Sequence, residues 1–212
     1  ASRQGRLAVA LGGRRIRVLA ADGTPQATLD TLGGQPLHAV NALAWAGDEA
    51  LLFTDGSRQY GTMQWSHDLM TLGRSGRAGR WWLGSGEAEL LADGLAHAFG
   101  VLPAGDGARV SESWQHRVQQ LSAKGSAPQP LLSELPCYPS RMAAAADGGF
   151  WLSCFVCRTQ LVEFVLREPA YRRRMVAEID PRHWIAPALS SGHSFLEPLQ
   201  GAGVKNMGVL KP

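Results

Sequence analysis

The stretch Val40-Asn41-Ala42-Leu43-Ala44-Trp45-Ala46-Gly47-Asp48, running into Leu51-Leu52-Phe53-Thr54-Asp55, sets out a pattern that the chain then repeats. An apolar run reaches a glycine–aspartate turn, and a second apolar run leaves it to end on polar residues. The pattern returns as Ala98-Phe99-Gly100-Val101-Leu102-Pro103-Ala104-Gly105-Asp106-Gly107 into Val110-Ser111-Glu112-Ser113-Trp114. It returns again as Pro139-Ser140-Arg141-Met142 through Ala146-Asp147-Gly148-Gly149 into Phe150-Trp151-Leu152-Ser153-Cys154. Short strands, glycine turns and a repeat of roughly 40–50 residues mark the blades of a β-propeller. The sequence therefore predicts an all-β propeller whose innermost strands converge on an axial channel. Asn41, Phe99 and Arg141, far apart in the chain, are expected to meet there.

Around these stretches the chain keeps a meander rhythm. Leu7–Leu11 and Ile16–Ala20 read as strands joined at Gly12-Gly13, and a third strand follows Ala21-Asp22-Gly23. Arg80–Leu83 with Glu87–Leu91, and Val118–Leu121 with Gln129–Leu132, read as outer hairpins. Two segments break the rhythm. Thr62–Arg77, with Trp65, His67 and Asp68, is too long for a blade turn and reads as a loop or short helix over one face. Gln160–Met175 has helical apolar spacing, with Pro169 set to break or kink it. Pro181–Phe195 reads as a loop aromatic enough to cover a pocket.

Composition agrees. Twenty-five glycines and twelve prolines in 212 residues suit many tight turns and not a helical bundle. The net charge of +3 is spread along the chain, and its one dense run, Arg172-Arg173-Arg174, reads as a solvated helix face, so no nucleic-acid partner is expected. No apolar run approaches the ~18 residues of a membrane span. The first residues show no signal peptide, which leaves a cytoplasmic or periplasmic compartment as the expectation. Three cysteines are a sparse set for a disulfide framework, and Cys154-Phe155-Val156-Cys157 follows a strand where redox pairs open a helix; inert, buried or half-buried cysteines are expected. Asp55 and Glu112, ending inner strands, are expected to make structural hydrogen bonds between blades.

The run Asn41-Ala42 … Phe53-Thr54-Asp55-Gly56-Ser57 … Tyr60 resembles the strictosidine synthase-like family, as do Asp93-Gly94-Leu95 … Gly100-Val101 … Glu112-Ser113-Trp114 … Arg117 and Tyr138-Pro139 … Asp147-Gly148-Gly149-Phe150-Trp151. The resemblance implies a six-bladed propeller of the superfamily that also holds gluconolactonases, senescence marker protein-like lactonases and paraoxonases. It makes residues 1–212 a single domain incomplete at both ends, with about four blades and part of another. Many superfamily members hold an axial calcium through a glutamate, two asparagines and an aspartate. Here Asn41 matches, but Ala42, Phe99 and the pair Ser140-Arg141 stand where other ligands are expected, so the calcium centre is expected to be lost or weak.

Strictosidine synthase itself is metal-independent and uses a glutamate late in the chain for proton transfer; Glu197 is the one carboxylate in a comparable stretch and is the candidate catalytic residue. Asn41, His97, Phe99, Ser140, Arg141 and Trp184 are the candidate substrate-binding residues. Two functions follow as expectations. One is a hydrolase or lyase acting on a small, partly apolar molecule in the axial cavity. The other is a non-catalytic sensor domain joined to a transporter permease, as some relatives of this family are.

Overall fold

The computed structural model describes residues 1–122 and 127–187. Their strands form successive antiparallel sheets in chain order. The first sheet is β1 (Leu7–Leu11), β2 (Arg15–Leu19) and β3 (Pro25–Leu29), followed by a two-residue ribbon of β4 (Thr31–Leu32) and β5 (Gln35–Pro36). The second is β6 (Val40–Ala46), β7 (Ala50–Asp55), β8 (Gly76–Trp82) and β9 (Ala88–Leu95). The third is β10 (Ala98–Ala104), β11 (Gly107–Glu112), β12 (Arg117–Leu121) and β13 (Gln129–Leu132), and the fourth is the hairpin β14 (Cys137–Ala144) and β15 (Phe150–Cys157). The first strand of the third sheet, β10, packs against both β6 and β14. Consecutive strands pair, each sheet leads into the next, and the leading strands lie side by side. That is the arrangement of propeller blades about an axis.

The repeated polar endings explain how one blade is fixed to the next. On β7, the Thr54 hydroxyl accepts from the Ala42 amide of its own sheet and donates to the Phe99 carbonyl on β10. On β11, the Ser111 hydroxyl accepts from the Gly100 amide at 2.7 Å and donates to the Ser140 carbonyl on β14 at 2.6 Å. One residue on, Asp55 accepts from the Ala39 amide at 2.6 Å and pairs with Arg77, whose guanidinium continues to the Leu32 and Pro36 carbonyls at 2.8 Å each. Glu112 does the same, accepting from the Ala96 amide at 2.8 Å and pairing with Arg117 at 2.6 Å. Thr-Asp and Ser-Glu are thus one device used twice: the hydroxyl ties neighbouring blades, while the acid, expected to bond between blades, closes its own sheet onto the segment before it. In the fourth sheet the equivalent position, opposite the first residue of the leading strand, is Cys157.

Packing follows from the same geometry. Every residue of β7 is buried, so it reads as a continuous apolar run up to Thr54-Asp55 and not as an alternation. Ile16, Val18, Phe53 and Trp81 fill the layer between the first and second sheets. The layer between the second and third is built on small residues, Ala42, Ala78, Ala92, Ala98 and Ala108, with Leu52, Val101 and Val110, and so the blades approach closely. Replacing Phe53 by alanine in such a layer costs about 3–5 kcal/mol.

The two irregular segments cap one side. The first, after β7, is a 3-10 turn at Thr62–Gln64 and α1 (Trp65–Met70). The second is a helix pair, α2 (Gln160–Arg167) and α3 (Pro169–Glu178). Thr159 caps α2 by accepting from the Val162 amide, and Pro169 opens α3 at its first turn, where a missing N–H costs nothing. A third cluster joins both caps to the sheets through Leu69, Met70, Trp114, Tyr138, Val162, Val165, Met175 and Trp184. Glu163 of α2 clamps the fourth sheet: it pairs with Arg158 at 2.7 Å and accepts from the Tyr138 hydroxyl at 3.2 Å, with His116 at 3.6 Å. No helix among the described residues is long and apolar enough to cross a membrane.

Two sequence expectations are corrected. Cys137 and Cys154 are disulfide-bonded, and the third cysteine, Cys157, is exposed. The cause is a register shift: Tyr138 lies opposite Val156 but Pro139 opposite Cys154, so Phe155 is skipped and Cys154 is drawn toward Cys137. The arginine run is not uniformly solvated either. Arg172 is buried and donates to the Leu166 carbonyl of α2, and burial lowers its pKa.

Candidate functional site

The turn between β9 and β10 puts His97 at the centre of the leading strands. Its φ of +61° is in the left-handed region, uncommon for a residue with a side chain. The turn is held by the His97 amide donating to Leu95 O and by the Ser113 amide donating to His97 O. Backbone strain of this kind is concentrated at working sites. His97 is 3% exposed, with its ring stacked on Trp114 at 4.3 Å and tilted 6.0 Å from Phe99.

Asp68, delivered by α1, lies behind the imidazole. Its Oδ2 is 3.4 Å from His97 Nδ1, a charge contact rather than an aligned hydrogen bond, and it accepts from Trp114 Nε1 at 2.7 Å. Its Oδ1 accepts from the Ser57 hydroxyl at 2.7 Å. Burial alone would raise this carboxyl. The contact with His97 and the hydrogen bonds from Ser57 and Trp114 outweigh burial and hold Asp68 below its ordinary value. The dyad is therefore an ionised carboxylate behind a histidine, which favours the ring proton on Nδ1 and leaves the Nε2 lone pair facing the other way.

On the Nε2 side stands Asn41. Its Nδ2 is 3.5 Å from His97 Nε2 and donates to the Ala98 carbonyl at 2.9 Å, linking β6 to β10. Two glycines make this packing possible. A Cβ on Gly56 would fall 2.3 Å from Asn41 Nδ2 and 3.1 Å from His97 Cε1; one on Gly73 would fall 2.2 Å from Asp68 Oδ1. The motif Thr54-Asp55-Gly56-Ser57 thus resolves into four tasks: Thr54 staples two blades, Asp55 closes the sheet, Gly56 clears space for His97 and Ser57 holds Asp68.

Beyond Asn41 the face is aromatic and basic. Phe99 stacks on Phe155 at 5.8 Å with the rings 23° apart, and the Arg141 guanidinium lies over Phe99 at 5.8 Å. Phe155 also meets Trp65 edge-on at 5.6 Å and Trp114 at 5.9 Å. Asn41, His97, Phe99 and Arg141 form one contiguous patch drawn from three sheets. Ser140 stands apart from it: buried, its hydroxyl donates to the Ser153 carbonyl at 2.9 Å. Trp184 is buried against His67 at 4.6 Å and donates through Nε1 to Ile179 O. Glu197 lies outside the described residues. From the sequence Asp68 is named only within the Thr62–Arg77 insertion, and Ser57, Gly56, Gly73 and Phe155 are given no place in the site; an aspartate directly before Leu69-Met70, in an insertion carrying Trp65, was the available signal.

These side chains do not suit a calcium ion, which takes six to eight oxygens, several of them anionic. Asn41 faces an imidazole and a carbonyl, Phe99 offers no donor, Arg141 is a cation, and Asp68 is committed to three partners. No group of three or more histidine, cysteine, aspartate or glutamate side chains that could hold a metal occurs among the described residues.

No protein-family model and no curated protein matches the chain. Solved structures do. The chain is similar to a gluconolactonase from Xanthomonas campestris (TM-score 0.56, 21% identity, over 74% of this chain and 55% of that one). It is similar to virginiamycin B lyase from Staphylococcus aureus (TM-score 0.54, 14% identity, 74% and 47%). It is also similar to the WD40 β-propeller domain of Doa1 (TM-score 0.51, 11% identity, 73% and 45%). The chain thus spans about half the length of these proteins. At such identities the likeness shows the fold, a β-propeller of the kind found in gluconolactonases and streptogramin-type lyases.

Proposed function

We propose that the axial face is the active site of a metal-independent propeller enzyme of the hydrolase or lyase type, with His97 as its general base and Asp68 as the residue that orients and charges it. The observation that carries this reading is the buried Asp68–His97 pair, 3.4 Å apart, beside an aromatic wall. In ester or lactone hydrolysis, His97 Nε2 takes a proton from water as its oxygen bonds to the carbonyl carbon. The Asp68 carboxylate stabilises the imidazolium that results. When the carbon–oxygen bond breaks, the imidazolium returns that proton to the leaving alkoxide. A lyase would use the same lone pair to remove a proton from carbon; the C–H electron pair becomes a double bond as the carbon–oxygen bond on the adjacent carbon breaks, and the imidazolium gives the proton to the departing oxygen.

Two neighbours give the reading company: the gluconolactonase, and virginiamycin B lyase, of which a histidine-to-alanine variant is described as catalytically inactive, with quinupristin. Glu197, the carboxylate suggested by the resemblance to strictosidine synthase, is the second proton-transfer candidate. Hydrolysis of a panel of lactones and aryl esters, with calcium and with chelator, tests the reading. Turnover that ignores chelator and vanishes in His97→Ala supports it; turnover that vanishes only in Glu197→Gln moves the chemistry to that residue. Turnover that survives both variants overturns it.

A second reading, a sensor domain attached to a transporter or another partner, draws on one observation. His97 is 3% exposed and Asn41 covers its Nε2, so the imidazole is closed off until Asn41 moves. A binding module needs no such opening. Tight binding of a small molecule with no turnover across the panel would favour it.

A further inference from the structure

We infer that the axial face takes a carboxylate-bearing aromatic small molecule, its ring against Phe99 and its carboxylate on the guanidinium of Arg141. This rests on the reading that the face binds a small molecule, and deepens it by naming the ligand's chemistry.

The argument is a charge balance. Among the described residues, every carboxylate near this face already has its cation or its donors. Asp68 is taken by Ser57, Trp114 and His97; Asp55 by Arg77; Glu112 by Arg117 and Gln119; Glu163 by Arg158 and Tyr138. Arg141 is exposed and pairs with no acid among the described residues; its one contact there is the face of Phe99. The patch therefore carries one unbalanced positive charge, a planar fork suited to two-point binding of a carboxylate. The described side chains of the face offer no calcium-type set of anionic oxygens, and its cation is the Arg141 guanidinium.

Arg141 is also well placed to keep its position. Its neighbour Ser140 is buried, with its carbonyl fixed by the Ser111 hydroxyl at 2.6 Å. β14 passes so near β10 that a Cβ on Gly100 would fall 2.2 Å from Ser140 O. The guanidinium thus rises from a rigid strand. Phe99 and Phe155, stacked 5.8 Å apart, provide the apolar surface beside it, and Asn41 and His97 lie at the other edge of Phe99.

The test uses a matched pair of probes, 2-naphthoate and its neutral isostere 2-naphthamide, followed by quenching of tryptophan fluorescence. The unmodified chain is expected to bind the acid at least about tenfold more tightly than the amide, a preference that falls as salt rises and ignores calcium and chelator. Arg141→Ala is expected to abolish the preference and Arg141→Lys to retain part of it, since a point charge replaces the fork. Circular dichroism confirms that each variant is folded, and Arg141→Gln serves where the alanine variant is not. The preference is read from binding and the chemistry from turnover, so failure of the proposed chemistry and failure of this inference are read separately. Equal affinity for the two probes, binding of neither, or a preference that survives loss of Arg141 overturns it.

Discussion

Asp55 and Asp68 are both fully buried carboxylates, and they show how one chemical group is used in two ways. Asp55 ends β7, in the repeated part of the molecule, and faces Arg77, a cation that stays charged. Both of its oxygens are used, and Arg77 goes on to the Leu32 and Pro36 carbonyls. Asp68 sits on α1, in an insertion that breaks the repeat, and faces the His97 ring, with Ser57 and Trp114 as its hydrogen-bond donors. The first arrangement recurs one blade later with Glu112 and Arg117; the second has a looser counterpart in Glu163 of α2, 3.6 Å from His116 but tied also to Arg158 and Tyr138. A carboxylate repeated with the blades is framework. Asp68, brought by an insertion against the His97 ring, is the carboxylate to which the proposed function assigns chemistry.

That contrast can be broken by experiment. The largest effect is expected from His97→Ala, a fall in turnover per folded molecule of about 10²–10⁴-fold, the usual contribution of a general base. Arg77→Met should do the reverse. It strands Asp55 without its cation, and urea unfolding should show a loss of about 3–5 kcal/mol while turnover per folded molecule is kept. Gly73→Ala presses a methyl into Asp68, and should cost about 1–3 kcal/mol and lower turnover while every polar group remains in place.

The smallest effect concerns pH. Asp68 and Glu163 are held below the ordinary carboxylate values of 3.8 and 4.5, burial being outweighed in each by its partners. His116 is held below 6.5, by burial first and then by the Arg158 charge. In each case the unfolded chain binds the proton more readily, so stability rises with pH. The His116 share is present above pH 6.5 and is lost as pH falls through its lowered value; the carboxylate shares follow below 4.5. Urea midpoints from pH 8 to 3 should fall in two stages, and His116→Gln should flatten the first alone.

The fold was legible because its determinants are local and repeated. Apolar runs, Gly-Asp turns and polar strand ends recur in register, and each strand pairs with its sequence neighbour. Half of the candidate site was legible for the same reason: Asn41, His97, Phe99 and Arg141 lie on or beside leading strands, and leading strands converge. Asp68 was not, because its approach to His97 depends on Leu69 and Met70 packing beneath Trp114, a tertiary contact that no spacing encodes. The Cys137–Cys154 bond was hidden likewise, since it depends on a skipped residue in the β14–β15 pairing. Trp184 and Ser140, read from the sequence as ligand contacts, are both buried, with Trp184 Nε1 donating to Ile179 O and the Ser140 hydroxyl to Ser153 O.

The most direct test is a double-mutant cycle on turnover, comparing His97→Ala, Asp68→Asn and the two combined. If the pair works as one unit, the combined variant loses no more than His97→Ala alone, because Asp68 acts only through the imidazole. Losses that multiply, or an Asp68→Asn variant as active as the unmodified chain, would contradict the account.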